Sequence, residues 1–274
     1  MARPLSRSLP GLSVQADGQL SVRRNLPEEV PVAVVFEGTT QAVMMASPGD
    51  IADFAHGFAL SEGFIDSLDQ IEDFEVVEYE AGIEARFWLT GERSQALETR
   101  RRKMMGPVGC GLCGIDSLEE AARSLPDVTG NTLRIPGEEV ARATDELRAQ
   151  QPLHDQTRAV HAAGFLLPGQ GIVLAREDVG RHNALDKLIG ALARQGIDPA
   201  TGAFVLTSRV SVELIQKAAF AGCPVLIAVS APTAHALRLA DQAGITIAAF
   251  ARGGGFDLYS HASRITTETQ DVPR

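Results

Sequence analysis

Beyond Ala159 the chain alternates between short runs of valine, isoleucine and alanine and longer amphipathic stretches, and this alternation restricts the possible folds most strongly. Short apolar runs separated by helices of about 10–15 residues are typical of βαβ units. We expect strands over residues 171–175, 203–208, 224–230 and 245–251, and helices over residues 182–194, 212–220 and 233–242. The sequence therefore predicts an α/β protein with a mixed, largely parallel sheet and flanking helices.

The first third of the chain has a different pattern. Residues 1–28 mix proline, glycine, serine and arginine without a period, which predicts a poorly ordered tail. The valine-rich residues 30–46 predict two strands joined by a turn, and residues 74–80 and 83–90 predict a hairpin. Residues 29–105 are therefore expected to form a smaller N-terminal α+β segment.

Besides a helix that begins at Ser117, two helices are expected before the α/β region. Ser47 as N-cap and Pro48 at the first helical position predict a helix that ends near Gly63. A second helix is predicted over residues 137–150, where two glutamates favour the helix N-terminus. The chain then divides into a tail (1–28), the α+β segment (29–105), a cysteine loop with helices (106–156), the α/β core (157–262) and a second tail (263–274).

Composition excludes several classes of function. The 274 residues are 45% hydrophobic, which is enough for a sizeable core. A formal net charge of −10 gives no attractive background for a phosphate backbone, so no nucleic-acid partner is expected. No window approaches the roughly 18 apolar residues of a membrane helix, and the first residues lack the apolar centre of a signal peptide. We therefore expect a cytoplasmic protein without a membrane partner.

Two of the three cysteines, Cys110 and Cys113, lie in the glycine-flanked stretch PVGCGLCGIDS. In a reducing compartment a C-x-x-C pair is more often catalytic or metal-binding than a structural disulfide. A structural zinc site needs four ligands, and His154 and His161 are too far apart in sequence for the usual histidine pair. We therefore expect no bound metal. Cys223 precedes an apolar strand and is expected to be a buried structural thiol.

A thiolate nucleophile fits the C-x-x-C pair best. The flanking glycines allow another macromolecule to approach closely. A helix that begins at Ser117 and the basic residues 100–103 would lower the pKa of a neighbouring thiol. Two alternatives stay open, a thioredoxin-type disulfide and a pair of small loop side chains without function.

The stretch REDVGRHNALDKLIG, residues 176–190, follows a predicted strand and begins a predicted helix. This places Arg181, His182 and Asn183 at the carboxyl end of a strand, where open α/β sheets bind ligands. The alternative is a capped, salt-bridged turn in which Asp178 or Asn183 caps the helix. The sequence does not distinguish between two roles for His182, contact with a ligand and capping of its own helix.

Polar side chains follow two more strands, and a glycine run follows the last. Arg209 follows the strand 203–208, and Ser230 and Thr233 follow the next one. Hydroxyls, helix N-termini and an arginine at adjacent strand ends suit a ligand that carries phosphates. The stretch FARGGGF, which begins at Phe250, permits close approach of the backbone to a bulky ligand. Ordinary N-capping and a flexible turn are the alternatives.

In chain order, the segments GCGLCG, HAAGF, REDVGRHNALDKLIG, TSRVSVELIQKAA, GCPVLIAVSAPTAHALRLA and FARGGG resemble the FdhD-type formate dehydrogenase accessory sulfurtransferases, roughly from Val30 to Tyr259. The resemblance implies a homodimer with a cytidine-deaminase-like core. It also implies that the protein accepts sulfur from a cysteine desulfurase as a persulfide. The sulfur would then pass to the molybdenum (or tungsten) bis(molybdopterin guanine dinucleotide) cofactor of formate dehydrogenase.

The resemblance assigns roles residue by residue. Cys110 matches the persulfide-bearing cysteine of the family and Cys113 the second cysteine of its loop. The segment that matches the cofactor contact comprises Phe250, Ala251, Arg252, Gly253, Gly254 and Gly255. Family members often carry a further polar residue where this chain has the last two glycines. The strand-end residues that complete the predicted phosphate cradle are Arg181, His182, Asn183, Arg209, Ser230 and Thr233.

Two other functions compete with a sulfurtransferase. The first is a non-catalytic chaperone that binds the guanine-dinucleotide cofactor and delivers it to the apo-enzyme. The second is a zinc-dependent hydrolase, but the HAA triplet that begins at His161 lacks the glutamate of deaminases and no P-C-x-x-C follows it. Loss of function in Cys110→Ala would separate the sulfurtransferase from the chaperone.

Overall fold

A computed structural model describes residues 3–95, 97 and 124–267. The chain begins with an antiparallel hairpin of β1 (Ser6–Gln15) and β2 (Gly18–Pro27). The prediction of a poorly ordered tail over residues 1–28 is therefore wrong. The signal for a hairpin is the dipeptide Asp17-Gly18 at the turn, where Gly18 has φ 144°. The hairpin was not predicted because the prolines and arginines around this turn weaken the period-two pattern of its strands.

The N-terminal lobe is a four-stranded sheet with the order β4-β3-β6-β5. Its strands are β3 (Val30–Phe36), β4 (Thr39–Ala46), β5 (Ile71–Tyr79) and β6 (Gly82–Leu89). Both hairpins lie where the sequence predicted them, and β3 and β6 pair in parallel between them. Stacked phenylalanine rings pack on one face of this sheet. The ring centroids are 4.8 Å apart for Phe36 and Phe64 and 4.9 Å apart for Phe36 and Phe87.

Helix α1 (Ile51–Ser61) packs on this sheet, but it begins later than predicted. Its N-cap is Asp50, and Ser47 makes long-range contacts instead. The Ser47 backbone N–H donates to Asp178 Oδ2 at 2.9 Å, and its hydroxyl accepts from the Val179 N–H at 3.1 Å. Tertiary hydrogen bonds thus outcompete the local cap that the sequence indicated.

The C-terminal region is a six-stranded sheet with the order β13-β12-β11-β10-β8-β9. The strands are β8 (His161–Leu167), β9 (Gly171–Asp178), β10 (Ala203–Leu206), β11 (Val225–Ala228), β12 (Thr246–Arg252) and β13 (Gly255–Tyr259). Only β10, β11 and β12 are mutually parallel neighbours in the described sheet. The sheet is mixed, as predicted, but it is not largely parallel. The tight turns before β9 and β13 leave no room for a crossover, so those strands pair antiparallel.

Helices cover both faces of this sheet. They are α2 (Gly137–Arg148), α3 (Pro152–Thr157), α4 (Arg181–Gln195), α5 (Val212–Phe220) and α6 (Ala234–Ala243). Helices α4, α5 and α6 bury their apolar stripes on one face, and α2 buries Val140, Ala143 and Leu147 on the other. No helix in the described part of the chain is long and apolar enough to cross a bilayer.

A short parallel pair lies beside α2. Strand β7 (Ile135–Pro136) pairs with β14 (Ile265–Thr266), and Ile135 and Ile265 are buried. The predicted tail 263–274 is therefore wrong for its first residues, because an isoleucine that fills a core cannot belong to a solvated tail. Residues 268–274 lie outside the described part of the chain.

Candidate functional site

The predicted nucleophiles lie outside the part of the chain that the structure describes. Cys110 and Cys113 fall within residues 98–123, as does the helix predicted to begin at Ser117. The third cysteine, Cys223, is fully buried, as predicted. Burial raises the pKa of its thiol to about 12, so it stays a neutral thiol at physiological pH.

The ends of four strands meet at one edge of the six-stranded sheet. Strands β9 and β10 both pair antiparallel with β8, so they run in the same direction as β11 and β12. The loops that leave this edge are in contact, because the Thr233 N–H donates to Val210 O at 3.0 Å and the Phe250 N–H donates to Ser230 O at 3.4 Å. The predicted residues at this edge are Arg181, His182, Arg209, Ser230, Thr233, Phe250 and Arg252. We call this set the strand-end edge.

His182 lies at the start of α4, within reach of the next strand's loop. Its Nε2 is 3.3 Å from Ser211 Oγ and 3.8 Å from Glu213 Oε2. Burial, with the positive charges of Arg181 and Lys217, lowers the pKa of His182 to about 4. The imidazole is therefore neutral at physiological pH and can exchange a hydrogen bond with a hydroxyl.

Arg181 and Arg209 place positive charge at the same edge. The Nε of Arg181 is buried and has no hydrogen-bond partner among the residues described. Arg209 is exposed on the loop after β10. A buried donor without a partner costs free energy, so an acceptor brought to this position by a ligand would be stabilising.

His161, at the start of β8, lies at the same edge of the sheet. Its Nδ1 is 3.5 Å from Thr207 Oγ1, at the limit of a hydrogen bond. Burial and the charge of Arg181 lower the pKa of His161. The two histidines of this edge are therefore both neutral near pH 7.

The segment from Phe250 to Gly255 forms a bulge and a tight turn. Phe250 adopts φ 54° and exposes its ring, and the β12–β13 register shifts between Ala249 and Arg252. Gly253 and Gly254 have φ 61° and 79°, a region that favours glycine. A non-glycine residue held at positive φ is strained, and such strain clusters at functional positions.

Within that segment Ala251 is buried, and its carbonyl accepts a hydrogen bond from Thr144 Oγ1 at 2.9 Å. Arg252, Gly253, Gly254 and Gly255 are exposed. The side chains of Phe250 and Arg252 are therefore the ones that this segment presents to a ligand.

Two side chains that were predicted to contact a ligand form hydrogen bonds within the protein instead. The amide nitrogen of Asn183 donates to Met45 O at 2.8 Å and to Asp178 Oδ1 at 2.9 Å. The hydroxyl of Thr233 accepts from the Ala236 N–H at 3.1 Å and caps α6. Thr233 is therefore an N-cap, in agreement with the capping interpretation. The side chain of Asn183 instead links the two lobes through buried hydrogen bonds.

The REDVGRHNALDK motif also holds a buried ion pair that sequence reasoning missed. Lys187 Nζ lies 2.7 Å from Asp178 Oδ2, and both side chains are almost fully buried. The same Nζ donates to Ser47 O at 3.0 Å. The available signal was the i, i+4 spacing of Asn183 and Lys187, which places the two side chains on the same face of α4. The pair ties the N-terminal lobe to the start of α4.

A second buried pair involves Asp186, the residue before Lys187 in α4. Lys217 Nζ donates to Asp186 Oδ1 at 2.9 Å, to Ser61 Oγ at 3.0 Å and to Glu62 Oε1 at 2.7 Å. Burial raises the pKa of Asp186 to about 6. The helices α1, α4 and α5 therefore meet at one desolvated charge cluster, one helical turn after His182.

A cavity of about 210 Å³ lies between the hairpin base, α3 and β9. Its charged lining groups already have partners. Arg176 Nη2 lies 2.7 Å from Asp53 Oδ2, and the Glu177 carboxylate accepts the Leu153 and His154 N–H groups, each at 2.8 Å. The polar groups of this cavity therefore stabilise the junction of the lobes.

Comparisons with known proteins agree with one another. Residues 27–266 match the model of the FdhD/NarQ family. The chain is 51% identical over 242 residues to the sulfur carrier protein FdhD of Agrobacterium fabrum, covering 88% of this chain and 89% of that protein. It is 48% identical over 261 residues to the protein of the same name from Brucella abortus, covering 95% of this chain and 97% of the relative.

A solved structure has the same fold. The crystal structure of a formate dehydrogenase accessory protein from Desulfotalea psychrophila superposes with a TM-score of 0.76 at 22% identity and covers 96% of this chain and all of that one. Because the family model spans most of the chain and two relatives of nearly full length share about half of its residues, the chain belongs to the FdhD/NarQ family.

Proposed function

We propose that this protein is a sulfur carrier that serves formate dehydrogenase. It takes sulfur from a cysteine desulfurase as a persulfide on Cys110 and transfers it to the molybdenum bis(molybdopterin guanine dinucleotide) cofactor. The observation that carries this proposal is the 51% identity, over 88% of the chain, to a protein named a sulfur carrier. The C-x-x-C pair supplies the thiols that such chemistry needs.

The sulfur-transfer steps follow from thiol chemistry. The Cys110 thiolate attacks the outer sulfur of the donor persulfide, a new S–S bond forms, and the donor cysteine leaves as a thiolate. Cys113 is the assisting thiol. Its thiolate attacks the Cys110 sulfur, releases hydrosulfide toward the acceptor and leaves a Cys110–Cys113 disulfide. A dithiol reductant then restores both thiols.

The strand-end edge is proposed to hold the acceptor cofactor. Arg181, Arg209 and Arg252 supply positive charge for its phosphates, and helix N-termini point toward the same place. The exposed ring of Phe250 offers a flat face on which a guanine base can stack. The positive charge at this edge is local, because the chain as a whole carries a formal charge of −10.

The remaining features of the proposal come from the family resemblance. They are a cytidine-deaminase-like core, a homodimer and a cytoplasmic location. The protein needs no bound metal of its own, because the sulfur travels on cysteine.

A non-catalytic cofactor chaperone is the second candidate, and the same strand-end edge favours it. Both functions need the cofactor cradle, so cofactor binding alone does not separate them. Only the sulfurtransferase needs a reactive cysteine.

Intact-protein mass spectrometry tests the proposal. The full chain is incubated with a cysteine desulfurase and free cysteine, alongside Cys110→Ala, Cys113→Ala and, as a control, Cys223→Ala. We expect a reducible gain of one sulfur atom in the wild type and in the Cys223 variant, and none in Cys110→Ala. A wild type that gains no sulfur but binds the guanine-dinucleotide cofactor would establish the chaperone instead.

A further inference from the structure

Strand β12 contains a β-bulge just before the tight turn that joins it to β13. The register of the two strands shifts between Ala249 and Arg252, so Phe250 and Ala251 together lie opposite a single residue, Phe256. Two residues that oppose one define a β-bulge. Phe250 adopts φ 54°, although the residue at positive φ in a bulge is normally glycine. A phenylalanine at this position therefore needs other contacts that hold the bulge in place.

The bulge decides which side chains of β12 face each core. Ile247 and Ala249 belong to the core that α4, α5 and α6 cover, whereas Ala248 and Ala251 belong to the core beside α2. Successive side chains of a regular strand point to opposite faces, so without the bulge Phe250 would follow Ala248 toward α2. With the bulge, the smaller Ala251 takes that place and Phe250 is 37% exposed. The ring is therefore available to a ligand only in the bulged register.

Thr144, in α2, holds the second residue of the bulge. Its Oγ1 donates to the Ala251 carbonyl at 2.9 Å, and both residues are buried. A bulge takes an extra residue out of the hydrogen-bond ladder, and a buried carbonyl without a donor costs free energy. Threonine hydroxyls inside helices commonly bond back to the preceding turn, whereas this one reaches a carbonyl 107 positions away in sequence. The hydrogen bond therefore stabilises the bulged register of β12 relative to the regular one.

We propose that Thr144 is a positioning residue for the ligand of the strand-end edge, because its hydrogen bond holds the bulge that turns the ring of Phe250 outward. This inference rests on the proposed function, in which that ring stacks on a guanine base. Thr144 is only 6% exposed, so it acts through Phe250 and not by contact with the ligand.

Nuclear magnetic resonance of the ligand-free protein tests the first step. Thr144→Val replaces the hydroxyl with a methyl group of similar size, and Thr144→Ser keeps a hydroxyl. In protein with isotope-labelled phenylalanine, the backbone carbon resonances of Phe250 depend on its φ and are assigned by their absence from Phe250→Gly. We expect these resonances to shift in Thr144→Val and to keep their positions in Thr144→Ser. Unchanged resonances in Thr144→Val would overturn the proposal.

Calorimetric titration with guanosine diphosphate tests the consequence for binding. This probe carries the guanine base and the two linked phosphates of a guanine dinucleotide. We expect the Kd to rise about fivefold or more in Thr144→Val, because the stacking ring leaves its position. In Thr144→Ser the Kd should stay within about twofold of the wild-type value, since the donor to the Ala251 carbonyl is kept.

The matched control is Thr246→Val, at the opposite end of the same strand. The buried Thr246 hydroxyl donates to the His261 carbonyl at 2.7 Å, so the control also removes a buried hydrogen bond of β12. It should lower the free energy of unfolding and leave the Kd within about twofold of the wild-type value. Equal losses of affinity in the two valine variants would attribute the effect to general stability of β12 and overturn the proposal.

A double-mutant cycle tests whether Thr144 acts through Phe250. In Phe250→Gly the ring is already absent, so adding Thr144→Val should change the Kd by less than about twofold. A further fivefold rise would show that Thr144 acts on another group and would overturn the proposal. A wild type that binds no guanosine diphosphate would overturn the cofactor site itself, whereas unchanged resonances of Phe250 overturn only the role of Thr144. The two failures are therefore distinguishable.

Discussion

Gly57 and Gly190 bring the backbones of α1 and α4 into contact where the two helices cross. A Cβ at Gly57 would lie 1.7 Å from the carbonyl oxygen of Asp186, and a Cβ at Gly190 would lie 1.9 Å from that of Asp53. Because α1 belongs to the N-terminal lobe and α4 begins at the strand-end edge, this crossing fixes the position of one lobe on the other.

We predict that Gly57→Ala and Gly190→Ala each destabilise the protein by about 3 kcal/mol or more, since neither backbone can move aside without separating the helices. Urea unfolding measures the change. The control is Gly91→Ala, at an exposed position where nothing lies within 4 Å of the added Cβ. That variant should be neutral or more stable by up to about 1 kcal/mol. Equal effects at Gly57 and Gly91 would contradict the close crossing.

The buried Lys187–Asp178 pair gives a second prediction. Lys187→Met leaves Asp178 desolvated without its counter-ion, so we expect a loss of about 3–5 kcal/mol of unfolding free energy. Arg142→Ala, which removes an exposed pair with Glu146 at 3.5 Å, should cost less than about 1 kcal/mol. Cofactor affinity measured on the folded fraction should stay unchanged in Lys187→Met. A direct loss of affinity would show that this lysine contacts the ligand.

The third prediction concerns the pH dependence that His182 introduces. Its pKa of about 4 in the folded protein lies below the usual 6.5, so the unfolded state binds more protons between these values. Stability that is present above pH 6.5 is therefore lost as the pH falls toward 4, by on the order of 2 kcal/mol after allowance for partial exposure. Asp186, with a pKa raised from 3.8 to about 6, acts in the opposite direction over the same range.

The comparison of wild type with His182→Gln separates the two groups, because Asp186 is common to both proteins. The difference in unfolding free energy between them should change across pH 4 to 6.5, and the ring proton resonances of His182 should titrate near pH 4. A midpoint near 6.5 would show that the ring is exposed to solvent.

The strained conformation of Phe250 gives a fourth prediction. Phe250→Gly relieves the cost of φ 54° in a non-glycine residue, so the free energy of unfolding should stay the same or rise by about 1 kcal/mol. Affinity for the guanine-dinucleotide cofactor should fall at the same time, because the stacking face is lost. Calorimetry and equilibrium dialysis measure the two effects. A variant that is less stable but binds normally would contradict a ligand role for the ring.

Burial of Cys223 gives a fifth prediction. With a pKa of about 12, the thiol should not react with iodoacetamide in the native protein at pH 7.5, whereas Cys110 and Cys113 should react. Counting labelled cysteines by mass spectrometry before and after denaturation checks this. Rapid native labelling of Cys223 would show that the core around it opens.

The sequence by itself determined the local elements and the side chains at the strand ends. Alternating apolar runs placed β10, β11 and β12, and the turn chemistry placed the hairpins of the N-terminal lobe. The motif around the two loop cysteines and the REDVGRHNALDK motif together are sufficient to indicate the family. These features depend on short stretches of chain, in which periodicity and turn residues act locally.

Only the tertiary structure decided which polar side chains are free for a ligand. Asn183 and Ser47 look like local caps in the sequence, but both bond across the junction between the lobes. The antiparallel neighbours of the central strands and the charge clusters around Lys187 and Lys217 were equally invisible. Their partners lie as many as 156 residues away in sequence. A buried charge is stabilised by a counter-ion that lies close to it in space. The order of residues along the chain does not show which distant residue supplies that counter-ion.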